Sequence, residues 1–492
     1  MDVIKIIKKN CKLFKKITAV EEKDKNYSYK DFWILMNNVA SKLLNVKAKP
    51  IVVIIGKQNI LSYVSIFGTL LSGGTYIPIS ISSPLNRIVK IIKLSKCNII
   101  ICENNKKKYL KKIFPNKKFL IDHKLFITKP IKNIKIKKKN RIAYIIFTSG
   151  STGEPKGVCI SREALNCYIE WITKIFQIKQ GSKCSQFPQI GFDLSVADIF
   201  GTLCSGGTLV PASHKLDNFF PGRFIKNKKI SHLVCVPSLI ETIKDSKDLN
   251  FKNFKSLKMI FFCGEPLLYS QVKSIFQSKK NIKLINAYGP TEATCSCTFK
   301  ILTSSNFRKL SGISMSIGKP NPKIKISLNQ THSKKIINNR EGEIIISGPQ
   351  VADGYLNSKE NVNKFTKEKK IRSFRTGDYG KIVNNNLYFI GRIDNQIKLK
   401  GHRIELNEID FNLRKVGFSN SSSIFLEKKI ISFVIDNRKR NKSNTLKKLS
   451  KYIPDYMMPS NIITIKRMPI GQNGKINRKQ LIQLAKKNNN FD

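Results

Sequence analysis

The stretch from Tyr144 to Gly157 reads YIIFTSGSTGEPKG. Its first four residues, Tyr144, Ile145, Ile146 and Phe147, predict a buried strand that runs directly into a loop of Thr, Ser and Gly. A loop of that composition offers backbone N–H groups and hydroxyls with no bulky side chains, which suits it to surround phosphate oxygens. Lys156 supplies the counter-charge. The loop is not a Walker A sequence, because Gly157 follows the lysine where Ser or Thr is needed, and it is not a GxGxxG fingerprint.

Outward from this stretch the chain alternates strands, helices and glycine turns. Residues 1–50 predict an opening helix, a strand near Tyr27–Tyr29 and a helix over Asp31–Leu44, whose Phe32, Leu35, Met36, Val39 and Leu43 recur at helical spacing. Ile51–Ile55 is an unbroken apolar run, as expected of a parallel strand buried on both faces, and Ile60–Leu71 predicts a helix stopped at Gly73 and Gly74. The repetition indicates a doubly wound α/β core. Residues 103–140 are lysine-rich and predict two short surface elements. Arg162–Ile178 predicts a helix with an apolar face of Leu165, Tyr168, Ile169, Ile172 and Phe176, while 232–236 and 258–262 predict two more buried strands. From Ile317 onward short alternating segments punctuated by Gly, Pro and Asn predict a β-rich subdomain over about 317–393.

The 492 residues include 90 Lys and Arg against 32 Asp and Glu, a formal charge of +58. Such a balance raises nucleic acid as a partner. The lysines, however, are spread along the whole chain with many Ile and Asn, the bias of an AT-rich genome, and no clustered arginines with interleaved aromatics are present. No nucleic-acid partner is expected. The eleven cysteines contain no CxxC pair, which argues against a zinc knuckle or a disulfide framework and for reduced thiols. Met1–Lys16 does not read as a targeting sequence and no apolar run reaches the ~18 residues of a membrane span, so a cytoplasmic protein without a membrane span is expected.

TSGSTGEPKG resembles the phosphate-binding signature of the adenylate-forming superfamily, which includes the amino-acid adenylation domains of peptide synthetases, acyl-CoA synthetases and firefly luciferase. The resemblance implies that Thr148, Ser149, Gly150, Ser151, Thr152, Gly153 and Lys156 bind the phosphates of ATP. NAYGPTE at Asn286–Glu292 resembles a second signature, with Asn286, Ala287 and Tyr288 on the adenine, Thr291 on the α-phosphate and Glu292 as an oxygen ligand for Mg²⁺. In FRTGD, Asp378 matches the carboxylate that holds the ribose hydroxyls, and in YFIGRID, Arg392 matches an arginine on ribose or phosphate. Asp394 matches the pivot of a small C-terminal domain, 394–492, that follows a large domain spanning 1–393. Lys475, in GQNGKIN, matches the catalytic lysine, acting with Thr291 and Glu292.

Asp193, in FDLSV, has two readings. It sits where a helix N-cap is expected. By resemblance to amino-acid adenylation domains it pairs with the α-ammonium of the substrate, a partner that a fatty or aryl acid lacks. Burying a carboxylate without such a partner would cost several kcal/mol. Cys263 together with FDLSV most resembles D-alanine:carrier protein ligases, in which a cysteine narrows the pocket. Leu194, Ala197, Cys263, Ala287, Cys295 and Ser296 complete the expected pocket and are mostly small. The implied reaction is ATP-dependent adenylation of an amino acid, followed by thioester formation on the phosphopantetheine of a separate carrier protein. The rivals are an acyl- or aryl-CoA synthetase and a basic nucleic-acid-binding protein.

Overall fold

The computed structural model describes residues 2–121, 139–150, 153–329, 340–369, 371–394, 396–436, 441–470 and 476–487. Within them the chain forms two compact units. One comprises 1–81, 95–146 and 157–393; the other comprises 82–94, 147–156 and 394–492.

The first unit is built on two large sheets. Among the described residues nine strands form one sheet, in which Thr18–Glu21, Thr208–Pro211, Lys183–Gln186, His232–Cys235, Met259–Phe262 and Lys283–Tyr288 lie in that order and all parallel. The antiparallel strand Thr298–Leu302 follows Lys283–Tyr288. In a seven-stranded sheet Ile51–Gly56 lies between Thr75–Ser80 and Ile99–Cys102, parallel to both, and Ile142–Thr148 flanks Thr75–Ser80. The helices Ile60–Leu71 and Leu194–Leu203 are buried at every residue, which is why they carry no polar face. The expected α/β class is therefore realised.

Local chemistry accounts for the element ends. Ser28 and Asp31 form a capping box at the start of Tyr29–Leu44, and the Asn59 side chain accepts from the Ser62 amide at the start of Ile60–Leu71. The helix expected over Arg162–Ile178 stops at Phe176, because Gln177 turns left-handed with φ +50°. The described part of the lysine-rich stretch forms two short elements, the helix Asn104–Ile113 and an edge strand. Lys118–Ile121 pairs in parallel with Ile99–Cys102 at the sheet edge, since Phe119, Leu120 and Ile121 give it an apolar strand sequence. Residues 122–138 lie outside the described residues. The β-rich segment forms a five-stranded sheet whose long strand Ile371–Val383 pairs with Glu341–Ser347, Phe365–Glu368 and Asn386–Arg392.

His232 sets a pH dependence for the first unit. Its ring is 4% exposed, with Nδ1 2.9 Å from Ser231 Oγ and Nε2 3.0 Å from the Phe176 carbonyl oxygen. Burial lowers its pKa to about 4, with Lys258 and Lys283 pulling the same way against the Phe176 bond. The folded state keeps the ring neutral while the unfolded chain takes up a proton near pH 6.5. The stability it contributes is thus complete above pH 6.5 and is lost as pH falls toward 4, about 3 kcal/mol across the window. His232→Gln is expected to flatten the fall in urea midpoint between pH 6.5 and 4; an unchanged slope refutes this.

The second unit carries a two-stranded hairpin, Gln396–Leu399 with His402–Glu405, and the helix Leu406–Lys415. A three-stranded sheet of Asn420–Leu426, Lys429–Ile435 and Asn461–Thr464 completes its described frame with the helix Arg478–Lys487. Residues 82–94 and 147–156 join it through specific polar contacts. Arg87 Nη1 meets Glu408 Oε1 at 2.7 Å, with both side chains buried, and Lys90 Nζ meets Glu154 Oε1 at 2.7 Å.

Candidate functional site

In the first unit the strand Lys283–Tyr288 delivers its C-terminal residues into a tight turn, Thr291–Ala293. Gly289 is required there: a Cβ at that position would lie 2.6 Å from Ser296 Cα and 2.9 Å from the Cys295 carbonyl oxygen, closer than packed atoms stand. The turn therefore folds back onto 294–297 and makes one wall with it.

Thr291 Oγ1 donates to Asp193 Oδ2 at 2.6 Å. Asp193 stands at the N-cap position of Leu194–Leu203, yet its side chain makes no capping bond. Between the two readings of this residue, the geometry goes against the cap. The residue after Thr291, Glu292, is 1% exposed and its Oε1 accepts from Tyr355 Oη at 2.6 Å. The Tyr288 hydroxyl donates to Asp378 Oδ2 at 2.6 Å, and the Arg392 guanidinium meets Asp378 Oδ1. Strand register explains the second pair, because Asp378 and Arg392 face each other across antiparallel strands. Three bonded sets, Asp193 with Thr291, Tyr355 with Glu292, and Tyr288 and Arg392 with Asp378, thus converge on the one short segment Tyr288–Glu292.

Asn286 is 1% exposed and its Nδ2 donates to the carbonyls of Met315 and Ser316 at 3.2 and 2.9 Å. Its N–H groups are thus engaged in holding that loop. Burial first, and then the Asp378 carboxylate, raise the Tyr288 phenol well above its usual range, so the hydroxyl stays protonated and donates. Ala287 is buried beside it.

Leu194, Ala197, Cys263, Cys295 and Ser296 are all buried. Cys263 Sγ lies 3.8 Å from the Cys295 carbonyl oxygen. Burial, then Cys263 and Asp193, push the Cys295 thiol well above the usual thiol range, which keeps it uncharged and unreactive. Every described cysteine is a free thiol.

In the second unit the Thr/Ser/Gly loop follows the strand Ile142–Thr148, as its sequence implies. Ser149 Oγ donates to the Arg403 carbonyl at 2.7 Å and accepts from the Glu405 amide at 3.2 Å, while the Gly150 amide donates to Glu408 Oε2 at 3.2 Å. Donors that the resemblance assigns to phosphate oxygens are here satisfied by protein acceptors, one of them a carboxylate. Gly153 adopts φ +79°, a left-handed conformation that suits glycine. Lys156 is half-buried at the start of the next strand. Asp394 is the first residue of the unit's C-terminal segment, and its Oδ1 accepts from the Gln396 amide at 3.2 Å. Ser151, Thr152 and Lys475 lie outside the described residues.

Among the described residues no three His, Cys, Asp or Glu side chains cluster as a metal cage. One buried carboxylate, Glu292, beside Thr291 is a donor set suited to Mg²⁺, which binds through one or two carboxylates together with substrate phosphates. No helix among those residues is long and apolar enough to cross a membrane.

Sequence reasoning passed over Tyr355. Nothing in a single Tyr-Leu pair signals a bond to a glutamate 63 positions away. It also missed Gln350 and Asn321, whose side-chain amides donate to the Ser296 carbonyl at 3.0 and 2.9 Å.

A profile of the AMP-binding enzyme family matches residues 7–356. A D-alanine–D-alanyl carrier protein ligase of Listeria monocytogenes is 32% identical over 478 residues, covering 92% of this chain and 93% of that protein. One from Bacillus licheniformis is 30% identical over 504 residues, covering 98% and 99%. Among solved structures, the Vibrio cholerae adenylation domain AlmE in complex with glycyl-adenosine-5'-phosphate superposes with a TM-score of 0.82 at 24% identity, over 98% of each chain. The amide bond synthetase McbA of Marinactinospora thermotolerans gives 0.86 at 16% identity, over 98% of this chain and 99% of that one.

Proposed function

The chain belongs to the AMP-binding enzyme family, and from that premise we propose that it is an ATP-dependent, AMP-forming ligase that activates a small amino acid and transfers it to a carrier-protein thiol. The observation that carries the substrate class is the Asp193 carboxylate, which does not cap its helix and instead accepts from Thr291 at 2.6 Å. A carboxylate at the reacting turn is matched by an α-ammonium, and a fatty or aryl acid offers nothing in its place. The small walls Ala197, Cys263 and Ala287, and the two relatives named for D-alanine, support D-alanine as the substrate.

In the first half-reaction the amino acid carboxylate attacks the α-phosphorus of ATP and pyrophosphate leaves. Thr291 and Lys475 address the α-phosphate, Asp378 and Arg392 hold the ribose end, and Tyr288 fixes the base. Glu292, oriented by Tyr355, would hold Mg²⁺, which when bound neutralises charge on the phosphates. No general base is needed, since the work is positioning and charge neutralisation. In the second, a phosphopantetheine thiolate attacks the acyl carbon and AMP leaves. Residues 394–492, with Asp394 as pivot, form the small domain that exchanges Lys475 for the thiol path.

ATP–pyrophosphate exchange, measured with glycine, the common L-amino acids, D-alanine, a fatty acid and an aryl acid, tests the reading. Exchange is expected with the smallest amino acids, D-alanine foremost. Exchange with the fatty or aryl acid and with no amino acid would mean a CoA synthetase instead.

A further inference from the structure

The turn at 294–296 is built in a conformation that its residues do not favour. Thr294 and Cys295 have φ +56° and +73°, the left-handed region, although neither is glycine. Side chains of this kind persist there only when neighbours hold them. Several contacts do so: Thr294 Oγ1 donates to the Gln350 carbonyl at 2.6 Å, and Asn321 and Gln350 grip the Ser296 carbonyl.

The anchor for the side chains of Cys295 and Ser296 is Tyr168. This residue lies on the helix Arg162–Phe176 with its ring fully buried, packed against Trp171 at 5.6 Å between centroids. Its hydroxyl oxygen is 3.3 Å from Cys295 Sγ and 3.3 Å from Ser296 Oγ. One O–H can donate to the sulfur while its oxygen accepts from the Ser296 hydroxyl, so a single atom fixes both side chains. Cys263 Sγ also donates to the Cys295 carbonyl, at 3.8 Å.

We infer that Tyr168 is a positioning residue for substrate size: its hydroxyl, 3.3 Å from both Cys295 Sγ and Ser296 Oγ, fixes these two side chains so that the pocket they line ends at a methyl-sized side chain. The inference rests on the amino acid reading of the site and adds to it a residue one layer removed from the substrate. With the hydroxyl deleted, the ring still fills the core, but both side chains lose their common partner and the left-handed turn can relax away from the pocket. The room released favours a substrate longer by a methylene.

The test is Tyr168→Phe in ATP–pyrophosphate exchange with D-alanine and D-2-aminobutyrate. Losing one such hydrogen bond shifts a balance about fivefold, so the preference for D-alanine in kcat/KM is expected to fall by about that factor. The change should come through a lower KM for D-2-aminobutyrate, with KM for ATP unaltered. Ser296→Ala is the second variant: the effects of the two substitutions on the ratio should be less than multiplicative when combined. A preference unchanged within twofold overturns the inference. So does a loss spread equally over both amino acids and ATP, which would mean that Tyr168 serves folding alone. Failure of the underlying reading looks different, because the unsubstituted chain would then exchange with no amino acid at all.

Discussion

Lys475→Ala is expected to slow adenylate formation about 10²–10³-fold, the equivalent of ~3–4 kcal/mol of barrier. Thiol transfer from supplied aminoacyl-adenylate should survive. The lysine's setting, NGKIN, resembles that of the family's catalytic lysine, which is the role proposed for it above. Its ammonium would meet negative charge building on the α-phosphate and substrate carboxylate, an interaction stronger in the transition state than before it. Structural collapse is a poor alternative account of such a loss. Ile476 pairs with Ile470 in an antiparallel bridge, and the Asn477 amide donates to the Pro469 carbonyl at 2.8 Å, so the flanks of the segment are tied together by backbone bonds. The two half-reactions are read separately, by pyrophosphate exchange and by loading of a phosphopantetheinylated carrier from synthetic adenylate. Equal loss of both would show that the lysine acts otherwise.

What could be read from the sequence follows from how local each signal is. Ile51–Gly56 and Met259–Phe262 announce themselves because parallel strands buried on both faces are apolar at every position. Asn286, Thr291 and Glu292 fall within one short run, so one motif brings all three to the site. The partners that orient them come from far along the chain: Tyr355 for Glu292, Asp193 for Thr291, Asp378 for Tyr288. No spacing rule reaches across those separations, and only the folded sheets bring them together. Tyr168 shows a subtler limit. Helical periodicity assigns it to the apolar face, and its ring is indeed buried, but periodicity describes the ring and says nothing of the hydroxyl at its end. The same blindness hides the Arg87–Glu408 pair, since no local pattern links two residues 321 positions apart.

That pair carries the largest stability effect expected in the second unit. Arg87→Met should destabilise it by about 3–5 kcal/mol, because it leaves Glu408 as a buried charge without its counter-ion. The two side chains are 6% and 2% exposed at 2.7 Å, too dry for water to take the arginine's place. Burial by itself would lower the guanidinium's pKa, and Glu408, helped by Tyr456 and Glu154, more than offsets it, so the net shift is upward and the guanidinium stays charged. Glu408 Oε2 also accepts from the Gly150 amide, so a strained Glu408 transmits its displacement to the loop. The double variant Arg87→Met with Glu408→Gln removes both charges while keeping an oxygen for Gly150, and it should recover roughly half of the loss or more. Amide hydrogen exchange separates these outcomes locally: protection at Gly150 and through 82–94 should drop in the single variant and return in the double. If the single variant costs under ~1 kcal/mol, the range of a solvent-exposed pair, the contact is not the one that ties 82–94 to the helix Leu406–Lys415.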